Sequence, residues 1–387
     1  MTTGQQIPKG AAVAINDMLD HCANIQPGQE VLLLAHLDGL YGGDNLVDET
    51  AISWIQTAIQ LRGANTSVLW IDERAKPHAW RLPPVVKGAL TACDVFINHS
   101  FDIVWEEILE FKQLLLGRRI LMVRNFATTA PLLCTAWAQT PHELVSEIRY
   151  QASVPFKEGR AWKLTHDNGT YLEGVIAAPY NPTHPVSSHY YSTRREEAGP
   201  YRPWPEWMHP PIRISNTSGV FVFHGMQSWW SRYIGISPYF GKPIRLTIEN
   251  CRIKKIEGDD EADTLRRFLA SMVERLGDEV YDFHYIHFGV HPQARVGLHQ
   301  CPNALYRRLL DHSHSSNVHV HIGGPQPTST YPYWMHITGE IQMATFRVGD
   351  TLVHDRGHLT ALDHPAVLSV AAKYPGRPGL DLEPRSY

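Results

Sequence analysis

Four short apolar runs constrain this chain most: Val31–Leu34 within PGQEVLLLAH, then SVLWID, then DVFINHS at Asp94–Ser100, then RILMVRN at Arg119–Asn125. Each is continuous rather than alternating, which suits a strand covered on both faces. Helical patterns surround them. Residues 10–25 put Ala12, Ile15, Met18 and Leu19 on one face. Asn45 to Leu61 turns Leu46, Trp54, Ile55, Ala58 and Ile59 inward and is closed by Gly63, and Trp105–Leu116 follows the third run. Strand and helix in alternation predict an α/β domain over residues 1–150, a doubly wound, mostly parallel sheet. The turn LDGLYGGDN, with Gly39, Gly42 and Gly43, fits neither GxGxxG nor GxxxxGK[ST]; it reads as turn chemistry, and no cofactor-binding residue is assigned. His36 and Asp38 stand at the carboxyl end of the first strand, where open α/β sheets put functional groups.

After Tyr150 the texture changes, and residues 151–387 read as a second, α+β domain. Ala161–Ile176 alternates around Asp167-Asn168-Gly169, a hairpin pattern. Residues 178–211 are rich in Pro, Tyr, Trp and His and exclude a regular helix or a central strand. They read as a long connection or as a flap lined by Trp204, Trp207 and His209. GVFVFHG and then Arg245–Ile256 predict paired strands. Asp259–Leu276 predicts a helix with Leu265, Phe268, Leu269, Met272 and Leu276 inward, ended by Gly277.

The chain's 387 residues are too many for one ordinary core. A formal charge of −4, without blocks of one sign, argues against a nucleic-acid partner. No apolar run reaches the roughly 18 residues that span a membrane, and the N-terminus lacks the pattern of a secretory signal. The five scattered cysteines (Cys22, Cys93, Cys134, Cys251, Cys301) read as reduced, mostly buried thiols of a cytoplasmic protein.

Nine of the 22 histidines fall between Val280 and Glu340. Some have sufficient local explanations. His312 and His314 end the helix-like RRLLDHSHSS, where a helix dipole favours cations, and His299 lies in a loop. Others share strand faces: His319 with His321 in VHVHIGG, His336 with Thr338 and Glu340 in MHITGEI, and Tyr285 with His287 in FHYIHFG, His284 pointing the other way. Buried imidazoles need partners. A shared metal ion is one solution and a set of satisfied core histidines the other.

VYDFHYIHFGVHPQAR, with PIRLTIENCRIKKIEG before it, resembles the C-terminal domain of the 2,5-dihydroxypyridine 5,6-dioxygenases, Fe(II) ring-cleaving relatives of the aminopeptidase T metallopeptidases. The likeness extends to PGQEVLLL, LRGANTSVLWID, ACDVFINHS, the helix at 259–276, Gly323-Gly324 and the strand carrying His336. The resemblance implies an iron site of two histidines and a carboxylate. The late-strand histidine matches His336. The carboxylate falls on Thr338, a departure, and the earlier histidine falls on Tyr285, so that His287 on the same face is its substitute. A histidine of the peptidase branch matches His321, but that branch's paired glutamates are not evident.

The expected protein is therefore a mononuclear non-haem Fe(II) dioxygenase acting on a small hydroxylated aromatic, heteroaromatic or cyclic compound with O₂. His287, His321 and His336 bind the metal. Tyr285, His291, Arg295 and His319 serve acid–base or orienting roles, and Trp229, Trp230 and Tyr233 form an aromatic wall. A zinc hydrolase, with Zn²⁺ activating water, is the alternative. A protein that keeps the fold but has lost its metal is the third reading. The family implies a homo-oligomer.

Overall fold

The structure, a computed structural model, describes residues 6–36, 47–71, 83–99, 109–178, 201–205, 208, 211–227, 230–231, 234–323, 335 and 337–381. Asp38, the glycines at 39, 42 and 43, Trp207, His209, Trp229, Tyr233 and His336 lie outside the described residues.

The first four apolar runs form β1 (Glu30–His36), β2 (Asn65–Ile71), β3 (Val95–His99) and β4 (Leu121–Asn125). They pair in parallel, in the order β2-β1-β3-β4. β1 is buried over all but its first residue and β3 throughout, as continuous apolar runs require. The first helix runs Lys9–Asn16 and continues as a wider turn over Asp17–Cys22. Asp48 caps the helix Glu49–Gln60 by accepting from the Ala51 N–H (2.6 Å), and its other oxygen accepts from Ala130 N–H (2.7 Å). Of the third predicted helix, Leu109–Arg118 is described.

The hairpin follows as β5 (Ala161–His166) and β6 (Thr170–Ala178), with Gly169 at a φ of 95° in its turn. The chain then returns to the first sheet. β7 (Tyr201–Trp204), inside the Pro-rich connection, adds to the free edge of β4 in parallel. An edge tolerates Pro203, which cannot donate to a ladder.

β8 (Ile212–Met226) organises the second sheet. β9 (Tyr239–Glu249) and β10 (Arg252–Glu257) form a hairpin on it, and the helix Asp260–Leu276 follows, stopped by Gly277 at a φ of 74°. β11 (Tyr285–Phe288), the helix Ala304–His312, β12 (Asn317–Ile322) and β13 (Ile337–Gln342) carry the histidines. β14 (Thr345–Val348), β15 (Thr351–Asp355) and β16 (His358–Leu359) complete an antiparallel sheet of eleven described strands. β11 pairs with the start of β8 and β13 with its end. With β12 between them, these strands close a ring. No described helix is long and apolar enough to cross a membrane.

Candidate metal centre

The register of the ring builds a row of side chains. His287 on β11 faces His319 on β12, His319 faces Glu340 on β13, and Glu340 faces Gly225 on β8. One step along, His321 faces Thr338. The alternate residues Ile286, Phe288, Val318, Val320 and Ile341 are core. The helix Ala304–His312 lies over the row and contributes Arg308 and His312, four residues apart and so on one helical face. Gly225 has no side chain because Arg308 fills the space a Cβ would need.

Four imidazoles meet there. The ring centroids of His287 and His319 are 3.8 Å apart, as are those of His312 and His319, which stack at 28°. His321 Nε2 lies 2.7 Å from His287 Nε2. Nitrogens of His287, His312 and His319 all fall within 4.8 Å of one another, and all three residues are buried. At 2.7 Å the nitrogens of His287 and His321 share a proton or a cation, and the other nitrogens stand close enough to join around one ion. A set of neutral nitrogen donors suits Fe, Zn, Cu or Ni.

Glu340 sets the electrostatics. Its Oε1 accepts from His312 Nδ1 (2.6 Å), its Oε2 from Asn317 Nδ2 (3.2 Å), and Arg308 forms a buried ion pair with it. Burial alone would raise this carboxyl's pKa. The charge of Arg308, the electrostatic pull of His312 and the two hydrogen bonds outweigh it and hold Glu340 below the usual carboxylate range. Because the carboxylate accepts at Nδ1, the lone pair of His312 is at Nε2, the arrangement by which outer carboxylates orient metal-binding histidines.

The remaining site expectations sit around this group. Tyr285 packs against His321, ring centroids 5.8 Å apart. Arg295 reaches His314 Nδ1 (3.1 Å) and Ser316 Oγ (3.0 Å). His291 packs on Trp137 and accepts from the Gln293 N–H at 3.1 Å, outside the imidazole group. Trp230 packs on Phe268 in the core. His36 is buried at the end of β1.

The sequence pattern of the 2,5-dihydroxypyridine 5,6-dioxygenase family matches residues 14–304. The chain belongs to that family. It is thus a member of a family of dioxygenases, which are oxidoreductases. Its fold matches that of a 2,5-dihydroxypyridine dioxygenase from Pseudomonas putida KT2440 at a TM-score of 0.65 and 15% identity, over 91% of this chain and 98% of the other. It also matches AmpT from Thermus thermophilus at a TM-score of 0.53 and 12% identity, over 90% and 98%. At such identities these likenesses speak for the fold alone. No curated protein sequence matches significantly.

The family match ends before His312, so three of the four imidazoles and Glu340 lie past it. Thr338, where the resemblance calls for a carboxylate, is fully buried, and its Oγ1 accepts from the Gln227 N–H at 3.2 Å. Sequence reasoning missed His312 because the helix dipole already explained it. The signal was present as Arg308 and His312 at helical spacing, two groups able to meet one buried acid.

Proposed function

We propose that the protein is a mononuclear non-haem Fe(II) dioxygenase that uses O₂ on a small hydroxylated aromatic, heteroaromatic or cyclic compound. The observation that carries this reading is the buried imidazole group in a chain of a dioxygenase family. His287, His312 and His319 would hold the metal, and His321, at 2.7 Å from His287, is a fourth donor within reach. The expected set of His287, His321 and His336 shares two members with these four, and His336, outside the described residues, remains a candidate. Fe(II) held there would supply a centre able to activate O₂. The chain's own part is orientation: Glu340 keeps the His312 proton on Nδ1, and Arg308 and Asn317 keep Glu340 in place. Tyr285 and Arg295 are proposed to orient substrate or move a proton, and His291, outside the imidazole group, is proposed as a further acid–base group. The proposal extends to a cytoplasmic homo-oligomer, which size-exclusion chromatography and fractionation test.

The test is metal content of anaerobically purified protein, followed by O₂ uptake with hydroxylated heteroaromatics. About one iron per chain and uptake that depends on it is the expected result. Zinc with turnover in the absence of O₂ would replace this reading by the hydrolase, which draws on the fold shared with AmpT. His287→Ala is expected to remove the metal, and metal retained at full stoichiometry by that variant would exclude His287.

A further inference from the structure

A separate concavity ends on the far side of Glu340. Its volume is about 790 Å³, within the roughly 300–1,000 Å³ of small-molecule sites. The helix Ala304–His312, parts of β8, β9 and β13 and the loop at residues 295–298 enclose it. The buried pair of Arg308 and Glu340 forms its floor. None of the four imidazoles lines it, so it reaches the acid that holds His312 and stops short of the metal centre.

The helix sets the charge of this cavity. Arg307 and Arg308 are consecutive, and both line it. Arg308 gives its charge to Glu340. Arg307 Nη1 instead donates to the backbone carbonyls of Cys301 and Pro302, which are neutral, and Arg307 makes no ion pair among the described residues. Those two bonds aim the guanidinium without cancelling its charge. Arg295, also in the lining, donates to Ser316 Oγ at 3.0 Å. Asp311 is the one further acid of the described lining. Once Glu340 has neutralised Arg308, Arg295 and Arg307 stand against Asp311 and leave a net positive charge. Such a cleft with low-dielectric walls attracts anions.

The mouth is apolar. Tyr239, Leu298 and Met343 are 48%, 67% and 48% exposed, three of the eight large apolar side chains that stand exposed among the described residues. Gathered at one opening, they mark a binding surface in a way that scattered ones do not. The guanidinium carbon of Arg308 lies 5.5 Å from the Tyr239 ring centroid, which ties that ring to the floor as one wall.

We propose that this cavity is a binding site for a small aromatic carboxylate. The carboxylate pairs with Arg307, whose planar fork of donors matches two carboxylate oxygens. Arg295 adds to the field. The ring of the ligand packs between Tyr239, Ile341 and Met343. An inorganic anion would meet the same charge but leave the apolar mouth open to water. The site rests on the charge and shape of the cavity, and it stands whether or not the imidazole group holds iron.

The experiment is calorimetric titration with benzoate, and with benzamide as the uncharged ring of the same shape. It is run on the protein as purified, and again after metal is stripped with EDTA and the chelator dialysed away. About one benzoate per chain is expected, with a Kd of about 1 mM or tighter, the same in both preparations. Benzamide is expected to bind at least about tenfold more weakly, since it lacks the charge-assisted bonds to arginine. Arg307→Gln is expected to weaken benzoate at least about tenfold with circular dichroism unchanged. Leu298→Glu, an exposed position at the mouth, brings in a repelling charge and serves if Arg307→Gln does not fold. Benzoate binding that vanishes with the metal would place the carboxylate at the imidazole group and overturn the proposal. So would equal affinity for benzamide, undiminished binding in the folded variants, or no binding at millimolar benzoate.

Discussion

Replacing Glu340 by glutamine tests whether the carboxylate acts on the metal centre or only on the fold. The change keeps the shape and removes the charge. Arg308 and Glu340 are 6% and 0% exposed in their side chains, so the guanidinium would be left buried without its counter-ion. Breaking a buried pair from one side costs about 3–5 kcal/mol. Glutamine can still accept hydrogen bonds, which puts the loss at about 3 kcal/mol and, against the unfolding entropy of a 387-residue chain, lowers Tm by about 4 °C. A purely structural role predicts nothing more. If Glu340 fixes His312 through the 2.6 Å bond to Nδ1, metal affinity falls as well, by about 10–100-fold, because the amide no longer enforces the tautomer or supplies negative charge. The assays are thermal unfolding of the metal-free protein and calorimetric titration with Fe(II) or Zn²⁺ below the unfolding transition. A destabilised variant whose metal affinity stays within about twofold of the parent would refute the orienting role.

Gly289→Ala places a Cβ on the backbone of Ser313 and His314, just past the helix that ends at His312. That backbone cannot swing aside as a side chain can. A loss of about 1–3 kcal/mol or more in urea unfolding is expected, whereas Gly88→Ala, in open space within a helix, should stabilise by about 0.5–1 kcal/mol. Equal stabilities would show that the space around Gly289 is not limiting. Burial lowers the pKa of His99 and His291 to about 3 and that of His354 to about 4. The unfolded chain binds more protons below pH 6.5, so this stability is complete above about 6.5 and is lost as pH falls towards 3–4, at about 1.4 kcal/mol per pH unit for each histidine. Unfolding free energies from urea titrations at pH 7.5 and 5.5 should therefore differ by about 4 kcal/mol from the three together. A flat profile would mean that these imidazoles are not neutral and buried.

Much of the fold was legible because the signals were local. Continuous apolar runs announced β1, β3 and β4, and the turn at Asp167-Asn168-Gly169 announced β5 and β6. The return of β7 to the first sheet and the closing of β8 with β11 and β13 depend on pairings across the chain, which no window of sequence contains. The site divides along the same line. Strand alternation puts His319 and His321 on one face, but only the register shows which residues form a row. This bears on the carboxylate that the resemblance placed at position 338. An acid moved two residues along a strand keeps its face and travels about 7 Å. Glu340 stands two residues from Thr338 on the same face, in the row of His287 and His319 rather than that of His321. There it meets not an open ligand position but the Nδ1 of His312, brought in by the helix above. A helix histidine that local reasoning could fully account for thus becomes, through the sheet register, the group on which the Glu340 charge acts.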